Sequence, residues 1–280
     1  MIRIMTLMEN QPGARKGLTA EHGLSFLIDV DGRRILFDCG SGEGILRNMR
    51  LLGAAPASVD VMAFSHSHYD HAAGFPSLAE HGLRAEAVVG EHFFEEKYSA
   101  SGDGIYTYLG CGFSEEELRA SSASLHCNGR TFRLTERCAL ETGFPRIHPW
   151  ERIPERFVKR RDGRMEADSF EDEQCLVLNL GESLVMVTGC SHPGILNMVT
   201  EIGRRYGRPV DTVLGGIHLA GAEEERILAA VEGLRAAGVR RMWCNHCTGA
   251  GAEARMASAP GIQYGHLGVG GCVFPEQFSR

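Results

Sequence analysis

Short apolar segments separated by glycine-rich turns fill the first ninety residues. Residues 24–30 and 33–38 predict two strands, and the Asp-Gly pair between them predicts a hairpin turn because this pair accepts positive φ angles. Residues 44–52 place apolar side chains at helical spacing and predict a helix. Residues 59–64 form an apolar run that predicts a buried strand directly before a polar loop. This part of the chain therefore predicts a mixture of strands and helices.

The last hundred residues return to the same alternation. Residues 174–180 and 183–188 predict a strand hairpin, and residues 211–214 and 240–243 predict two further strands. Residues 223–237 predict an amphipathic helix, with apolar side chains on one face and a glycine after its end. Two halves of this kind can face each other sheet to sheet with the helices outside, so we expect an α/β fold.

The middle of the chain has poor periodicity. Residues from about 91 to 171 are rich in Gly, Ser and charged side chains, with aromatic residues between them. A structureless loop of this length is uncommon in a compact domain, so we expect short helices and strands that cover the polar loop. We interpret residues 1–280 as a single domain with an irregular insertion or cover at about 91–171. A basic run at 156–164 predicts either a solvated turn or a surface that attracts an anionic substrate.

Composition narrows the classes of function. The net charge of the 280 residues is −7 at pH 7, so bulk electrostatics give no support for a nucleic-acid partner. No apolar run approaches the ~20 residues of a membrane span, and the N-terminal residues lack a signal-peptide core. The chain has nine cysteines, an odd number, and they are scattered along the sequence, as expected for reduced thiols. Cys244 and Cys247 have the C-x-x-C spacing of a redox pair or zinc knuckle. We expect a cytoplasmic protein with a small-molecule substrate and no membrane partner, with a homodimer as an open option.

Four metal-binding side chains lie together in the polar loop after the predicted strand. His66, His68, Asp70 and His71 have the spacing H-x-H-x-D-H. If the chain stays extended, the first three side chains project to one side, because strand side chains alternate with period two. His71 reaches the same point if the chain turns at Asp70 and begins a helix. Imidazole and carboxylate groups suit zinc, iron or manganese, so the loop predicts a metal site.

Three more histidines follow other predicted strands. His192, His218 and His246 each lie beside small residues such as Gly, Ser, Cys or Thr. Functional side chains gather where the loops at strand ends converge on one edge of a sheet. We therefore expect these histidines to lie near the first loop.

With these residues, the chain resembles the metallo-β-lactamase superfamily, whose signature is His-x-His-x-Asp-His after a strand. A closer resemblance is to the branch of 7,8-dihydropterin-6-methyl-4-(β-D-ribofuranosyl)aminobenzene-5'-phosphate synthase. The segments that carry it are residues 65–71, 142–146, 172–174, 189–195, 215–219 and 246–249. The resemblance implies a four-layer αβ/βα sandwich with two facing β-sheets, helices outside, and a metal site at the sheet edge.

The resemblance also implies a set of ligands. One metal would be held by His66, His68 and His192, and a second by Asp70, His71 and His246. Most superfamily members place a bridging Asp after a later strand, but this chain has Gly-Gly-Ile-His at 215–218. We expect two divalent metal ions, with zinc first and manganese or iron as alternatives.

The leading hypothesis is a metal-dependent hydrolase or transferase that acts on a small anionic molecule, carrying phosphate or carboxylate, through a metal-bound hydroxide at a dinuclear site. Asp70 would be a ligand that also orients the nucleophile. His218 would contact the substrate and donate a hydrogen bond or a proton to a developing oxyanion, and Arg146 would clamp an anionic group. The alternatives are an oxidoreductase with a di-iron version of the site, and a binding protein with a structural metal.

Overall fold

The first of two large sheets carries the polar loop at the end of one of its strands. In the computed structural model, which describes residues 1–278, this sheet has seven strands. Their spatial order is β18 (Cys272–Val273), β1 (Arg3–Met8), β2 (Ser25–Val30), β3 (Arg33–Phe37), β4 (Val61–Ala63), β5 (Glu86–Gly90) and β8 (Ser124–Asn128). Strands β3, β4, β5 and β8 run parallel, so their carboxyl ends share one edge.

The second sheet repeats this plan. Its spatial order is β17 (Gln263–His266), β16 (Arg241–Cys244), β15 (Thr212–Gly215), β14 (Leu184–Thr188), β13 (Gln174–Asn179), β10 (Cys138–Thr142) and β9 (Thr131–Arg133). Strands β14 to β17 are parallel, and the loops that leave their carboxyl ends lie at one edge. The predicted hairpin of residues 174–180 and 183–188 is confirmed, since β13 and β14 pair antiparallel.

Helices cover the outer face of each sheet. The helices α1 (Gly44–Leu51), α2 (Tyr69–Ala72), α3 (Phe75–Glu80) and α4 (Glu115–Ser121) belong to the first half, and α5 (Ile195–Tyr206), α6 (Glu224–Ala236) and α7 (Ala250–Ser258) to the second. Two 3₁₀ turns lie at Pro56–Ser58 and Pro275–Gln277. The predicted helix at 223–237 is confirmed by α6 with a difference of one residue at each end.

Three apolar cores separate these layers. One lies between the first sheet and its helices, and a second lies between the other sheet and α5–α7. The third lies between the two sheets, where Phe26 and Phe37 are paired across β2 and β3 and fully buried near Leu176 and Val187. Burying a side chain of this size contributes about 1.5–3 kcal/mol. The chain therefore has the four-layer αβ/βα sandwich that the resemblance implied.

The segment 91–171 is divided among three sheets. Strands β8, β9 and β10 extend the two large sheets, as described above. The remaining strands form a small antiparallel sheet in the order β12 (Arg164–Ala167), β11 (Phe157–Arg161), β6 (Glu96–Ala100) and β7 (Tyr106–Tyr108). This small sheet stands beside the polar loop, because the Tyr69 amide donates to the carbonyl of Leu109 just after β7 (2.8 Å).

No helix between residues 1 and 278 combines the length and the apolar character that a membrane span requires.

Candidate metal centre

The loop after β4 is held open by two buried carboxylates. The Ser65 amide donates to Asp38 Oδ1 (2.6 Å) and the Ser67 amide donates to Asp172 Oδ2 (2.9 Å). These bonds satisfy backbone donors that a strand or helix would otherwise satisfy. The chain stays extended to His68 (ψ 144°) and then begins α2. The backbone thus follows the predicted course, extended and then helical.

The first cluster consists of His66, His68 and His192. One ligand atom from each side chain lies within 4.8 Å of the others, and all three residues are buried. The Ser65 hydroxyl donates to Asp38 (2.7 Å) and so accepts from His66 Nδ1 (2.9 Å), which leaves a lone pair on His66 Nε2. Burial lowers the pKa of each of these three imidazoles well below its usual value, and neighbouring cationic groups add to the shift. Neutral imidazoles are the form that binds metal.

Four ring nitrogens of this cluster lack hydrogen-bond partners. Within residues 1–278, His66 Nε2, His68 Nε2 and both nitrogens of His192 are buried and have none. A buried polar atom without a partner costs about 1–3 kcal/mol. Three such rings around one point fit a zinc-like cation, which accepts lone pairs from nitrogen ligands.

The second cluster consists of Asp70, His71 and His246. His71 Nε2 lies 3.1 Å from His246 Nε2, and Asp70 Oδ2 lies 3.2 Å from His246 Nε2 and 3.8 Å from His71 Nε2. Burial opposes ionisation of Asp70, but the neighbouring imidazoles, His71 first and then His22 and His246, hold its pKa well below the usual range. The structure thus brings all six residues predicted as metal ligands into two adjacent groups.

Glu173 positions the loop that carries His192. Its two carboxylate oxygens accept the amides of Ser191 (2.5 Å) and His192 (2.9 Å). Burial raises the pKa of Glu173 well above its usual value. The neighbouring Gln174 donates to the carbonyl of Phe64 (2.7 Å), at the start of the other ligand loop. Glu173, directly before β13, and Gln174, its first residue, therefore hold both ligand loops in position.

An open cavity of about 330 Å³ lies in front of both clusters. Its lining includes His68, Asp70, His192, His218, Arg156 and Phe157. The ring of His218 lies 4.3 Å from the ring of His192, and its backbone has a left-handed φ of 48°. Among the described residues that line this cavity, Arg156 is the only Lys or Arg.

Arg146 lies behind the cluster. Its guanidinium donates to the carbonyl of Ser169 (2.7 Å) and contacts that of His192 (3.4 Å). It lines a separate cavity of about 710 Å³ that contains none of the six predicted metal ligands. The contact with the His192 carbonyl places Arg146 next to the ligand loop rather than in front of the metal cluster.

Several residues at the site were not singled out from the sequence. His22 Nε2 lies 3.1 Å from Asp70 Oδ2, and its ring stacks on that of His246 at 5.2 Å. Asp38 binds His71 Nδ1 (2.7 Å) as well as Ser65. The sequence contains one indication for each residue. His22 lies directly before a glycine, and Asp38 lies at the end of a predicted strand, in the same position relative to its strand as the loop that carries His66.

Comparison with known proteins agrees with this geometry. Residues 18–113 match the metallo-beta-lactamase superfamily. The chain is 33% identical over 270 residues to 7,8-dihydropterin-6-methyl-4-(beta-D-ribofuranosyl)-aminobenzene-5'-phosphate synthase of Methanocaldococcus jannaschii, covering 90% of this chain and 89% of that protein. It is 30% identical to the uncharacterized protein MJ0448 of the same organism, covering 96% and 98% of the two chains.

A solved structure matches the whole molecule. Tm1679, a metal-dependent hydrolase of the beta-lactamase superfamily, superposes with a TM-score of 0.83 and 28% identity, covering 98% of this chain and 99% of that one. The predicted resemblance to the superfamily and to the synthase branch is therefore confirmed. The chain belongs to the metallo-beta-lactamase superfamily, a superfamily of metal-dependent enzymes.

Proposed function

We propose that this protein is a hydrolase or transferase that acts on a small anionic substrate. It would use two divalent metal ions, with zinc as the preferred metal. The observation that carries the proposal is the set of buried ring nitrogens on His66, His68 and His192 that have no partner within the described chain. His68 and His192 line an open cavity rather than a closed core. Structural zinc sites are closed by four protein ligands, whereas catalytic sites keep a position open.

Each metal would have its own set of ligands. The first set is His66, His68 and His192, and the second is Asp70, His71 and His246. When bound, such metals act as Lewis acids and make water a better nucleophile at neutral pH. The two sets share one wall of the cavity, so a substrate in the cavity would contact both.

The protein's own groups would bind and orient the substrate. His218 reaches into the cavity beside His192, and its buried Nδ1 has no partner among residues 1–278, so it is placed to donate to an oxygen that gains negative charge. Asp70 Oδ2 lies 3.1 Å from His22 Nε2 and would orient the attacking group. Arg156, which stacks on Phe157 at 4.8 Å, supplies a cation at the cavity rim.

The substrate class follows from this lining and from a relative. The name of the Methanocaldococcus jannaschii relative describes a product with a pterin, an aminobenzene and a 5'-phosphate. A cavity with one arginine, the Phe157 ring and several imidazoles suits a molecule that has both a planar ring and an anionic group. We propose an anionic substrate of this kind. The same site could serve either hydrolysis or group transfer.

The first experiment measures metal by elemental analysis. Purified protein should carry about two equivalents of zinc, manganese or iron, and His68→Ala should lose most of the metal and all activity. The matched control is His81→Ala, because His81 is exposed at the end of α3 and bonds only the carbonyl of Ser77. Full metal content in the His68→Ala protein would refute the proposal.

The second experiment identifies the substrate class. Mass spectrometry of any molecule retained by the purified protein, followed by assays with phosphate esters and neutral esters, separates anionic from neutral substrates. Arg156→Ala should raise KM for the anionic compounds about tenfold, which corresponds to about 1.4 kcal/mol, and leave KM for neutral ones unchanged. Arg152→Ala, an exposed arginine outside the cavity, serves as control. An equal effect of Arg156→Ala on both classes would argue against an anionic substrate.

A further inference from the structure

Two hydrogen bonds aim the lone pairs of the second cluster at one point. Asp38 Oδ2 accepts from His71 Nδ1 (2.7 Å), and Asn10 Oδ1 accepts from His246 Nδ1 (2.9 Å). The Asn10 amide is oriented by the Gly23 N–H, which also donates to Asn10 Oδ1 (3.2 Å). Both rings are therefore protonated on Nδ1, and both Nε2 atoms present lone pairs to each other. Lone pairs so arranged repel each other unless a cation lies between them.

A cysteine sulfur completes this group. Cys190 Sγ lies 3.2 Å from His71 Nε2, and its side chain is buried, with 3% exposure. One ring nitrogen of His66, a fully buried side chain whose Nε2 has no partner in residues 1–278, lies within 4.8 Å of the same sulfur. Cys190 therefore points between the two clusters, towards ring nitrogens of both.

The distances fit a shared metal. Ligand atoms around a tetrahedral zinc lie roughly 3.3 to 3.6 Å apart when zinc–nitrogen bonds are ~2.0 Å and zinc–sulfur bonds ~2.3 Å. Three contacts of this cluster measure 3.1, 3.2 and 3.2 Å, for His71 to His246, Asp70 to His246 and His71 to Cys190, and Asp70 to His71 measures 3.8 Å. These separations are close to one coordination sphere.

Position 216, just after β15, has no room for a side chain. A Cβ atom added to Gly216 would lie 2.3 Å from the Gly189 carbonyl oxygen and 2.6 Å from Cys247 Sγ. Any side chain at position 216 would therefore collide with the backbone that leads into Cys190. The two loops approach each other closely here, so position 216 cannot supply a carboxylate, and Cys190 lies on the loop that packs against it.

We infer that Cys190 binds the second metal as a thiolate, together with Asp70, His71 and His246. The inference rests on the proposed metal site and assigns a ligand that neither the sequence pattern nor the relatives supplied. On binding, the sulfur gives its proton to solvent and donates a lone pair to the metal, with no change of oxidation state. A soft thiolate ligand favours zinc over manganese at this position.

Cobalt substitution tests the inference. Metal-free protein reconstituted with two equivalents of Co²⁺ should show a near-ultraviolet sulfur-to-cobalt charge-transfer band. Cys190→Ser should abolish this band and weaken binding of the second equivalent of Co²⁺ at least tenfold. A tenfold loss of metal affinity is the smallest effect usually seen when a residue that only hydrogen-bonds to a ligand is removed. The control is Cys247→Ser, which should keep the band, because Cys247 Sγ instead accepts from the His218 amide (3.3 Å).

The outcomes separate the inference from the proposed function. Two bound metals without a charge-transfer band, or a band lost in Cys247→Ser and kept in Cys190→Ser, would overturn the inference and leave the histidine site intact. A wild-type protein that binds no metal would overturn both. If Cys190→Ser does not fold, zinc X-ray absorption of the wild-type protein decides, since a thiolate ligand gives a sulfur shell at about 2.3 Å and an all-nitrogen and oxygen shell contradicts the inference.

Discussion

Lys97 is a buried cation whose removal should lower the free energy of unfolding and loosen the loop after β4 that carries His66 and His68. It lies on β6 in the small sheet and is 2% exposed. Its Nζ donates to Asp172 Oδ1 (2.5 Å) and lies 3.2 Å from Asp168 Oδ2. Asp172 uses its other oxygen to accept the Ser67 amide, between His66 and His68 in the sequence. The lysine therefore joins the small sheet to the ligand loop.

The size of the expected loss in unfolding free energy follows from the charges. At an effective dielectric constant of about 20, attractions at 2.5 and 3.2 Å are roughly 7 and 5 kcal/mol. Lys97→Met leaves two buried carboxylates without their cation, and they can escape only by taking up protons. Protonating one carboxyl with an ordinary pKa near 3.9 costs about 4 kcal/mol at pH 7. We therefore expect a loss of about 3–5 kcal/mol, the range found when one partner of a buried pair is removed.

Thermal and urea unfolding followed by circular dichroism measure this loss. Unfolding entropy near 2.1 cal/mol/K per residue over 280 residues converts 3–5 kcal/mol into a fall in Tm of roughly 5 to 9 °C. The control is Arg160→Met on β11, whose ion pair with Glu96 is half-exposed, and it should cost less than about 1 kcal/mol. Adding Asp168→Asn to Lys97→Met should recover part of the loss. Equal stability of Lys97→Met and Arg160→Met would refute the reasoning.

Three further changes test other parts of the structure. Asp38→Asn replaces an acceptor of three hydrogen bonds by an amide with one acceptor oxygen, and zinc affinity measured by chelator competition should fall about 10–100-fold. Gly216→Ala should cost about 1–3 kcal/mol in urea unfolding because its Cβ meets backbone, whereas Gly102→Ala, which meets nothing within 4 Å, should not. Hydrogen bonds from neighbouring arginines lower the pKa of Glu201 to about 2 from 4.5, so its stabilising effect is complete above pH 4.5 and is lost as pH falls towards 2. The difference in unfolding free energy between wild type and Glu201→Gln should vanish over that interval, and a constant difference would contradict this assignment.

Local spacing explains why the ligands could be predicted. His66, His68 and Asp70 project together because an extended chain alternates, and His71 follows because a helix begins at Tyr69. His192 and the other later histidines were predicted because parallel strands place their carboxyl ends at one edge. Each of these placements depends only on a short segment and on a general property of sheets.

The remaining contacts depend on long-range packing. Arg146 and Arg156 are both arginines of the irregular segment, and the basic run that begins at Arg156 allowed two interpretations, a solvated turn or an anion-attracting surface. Pairing of β11 with β6 brings Arg156 to the cavity, while Arg146 turns towards the His192 carbonyl. The partnership of Lys97 with Asp172 spans 75 residues and had no local signal either.

Charge balance explains why the site and the fold depend on each other. The carboxylates of Asp38, Asp70, Asp172 and Glu173 are all buried around the two histidine clusters, and Lys97 is the only buried Lys or Arg in contact with any of them within residues 1–278. A group of buried carboxylates with one cation is unfavourable unless its charge is balanced or its protons are retained. Asp38, Asp172 and Glu173 accept amide hydrogens from the ligand loops, so keeping these carboxylates ionised also keeps the loops in place. In the proposed function, two divalent metals would add positive charge at the point where these loops meet. The same carboxylates would therefore both shape the loops and favour the binding of the cations.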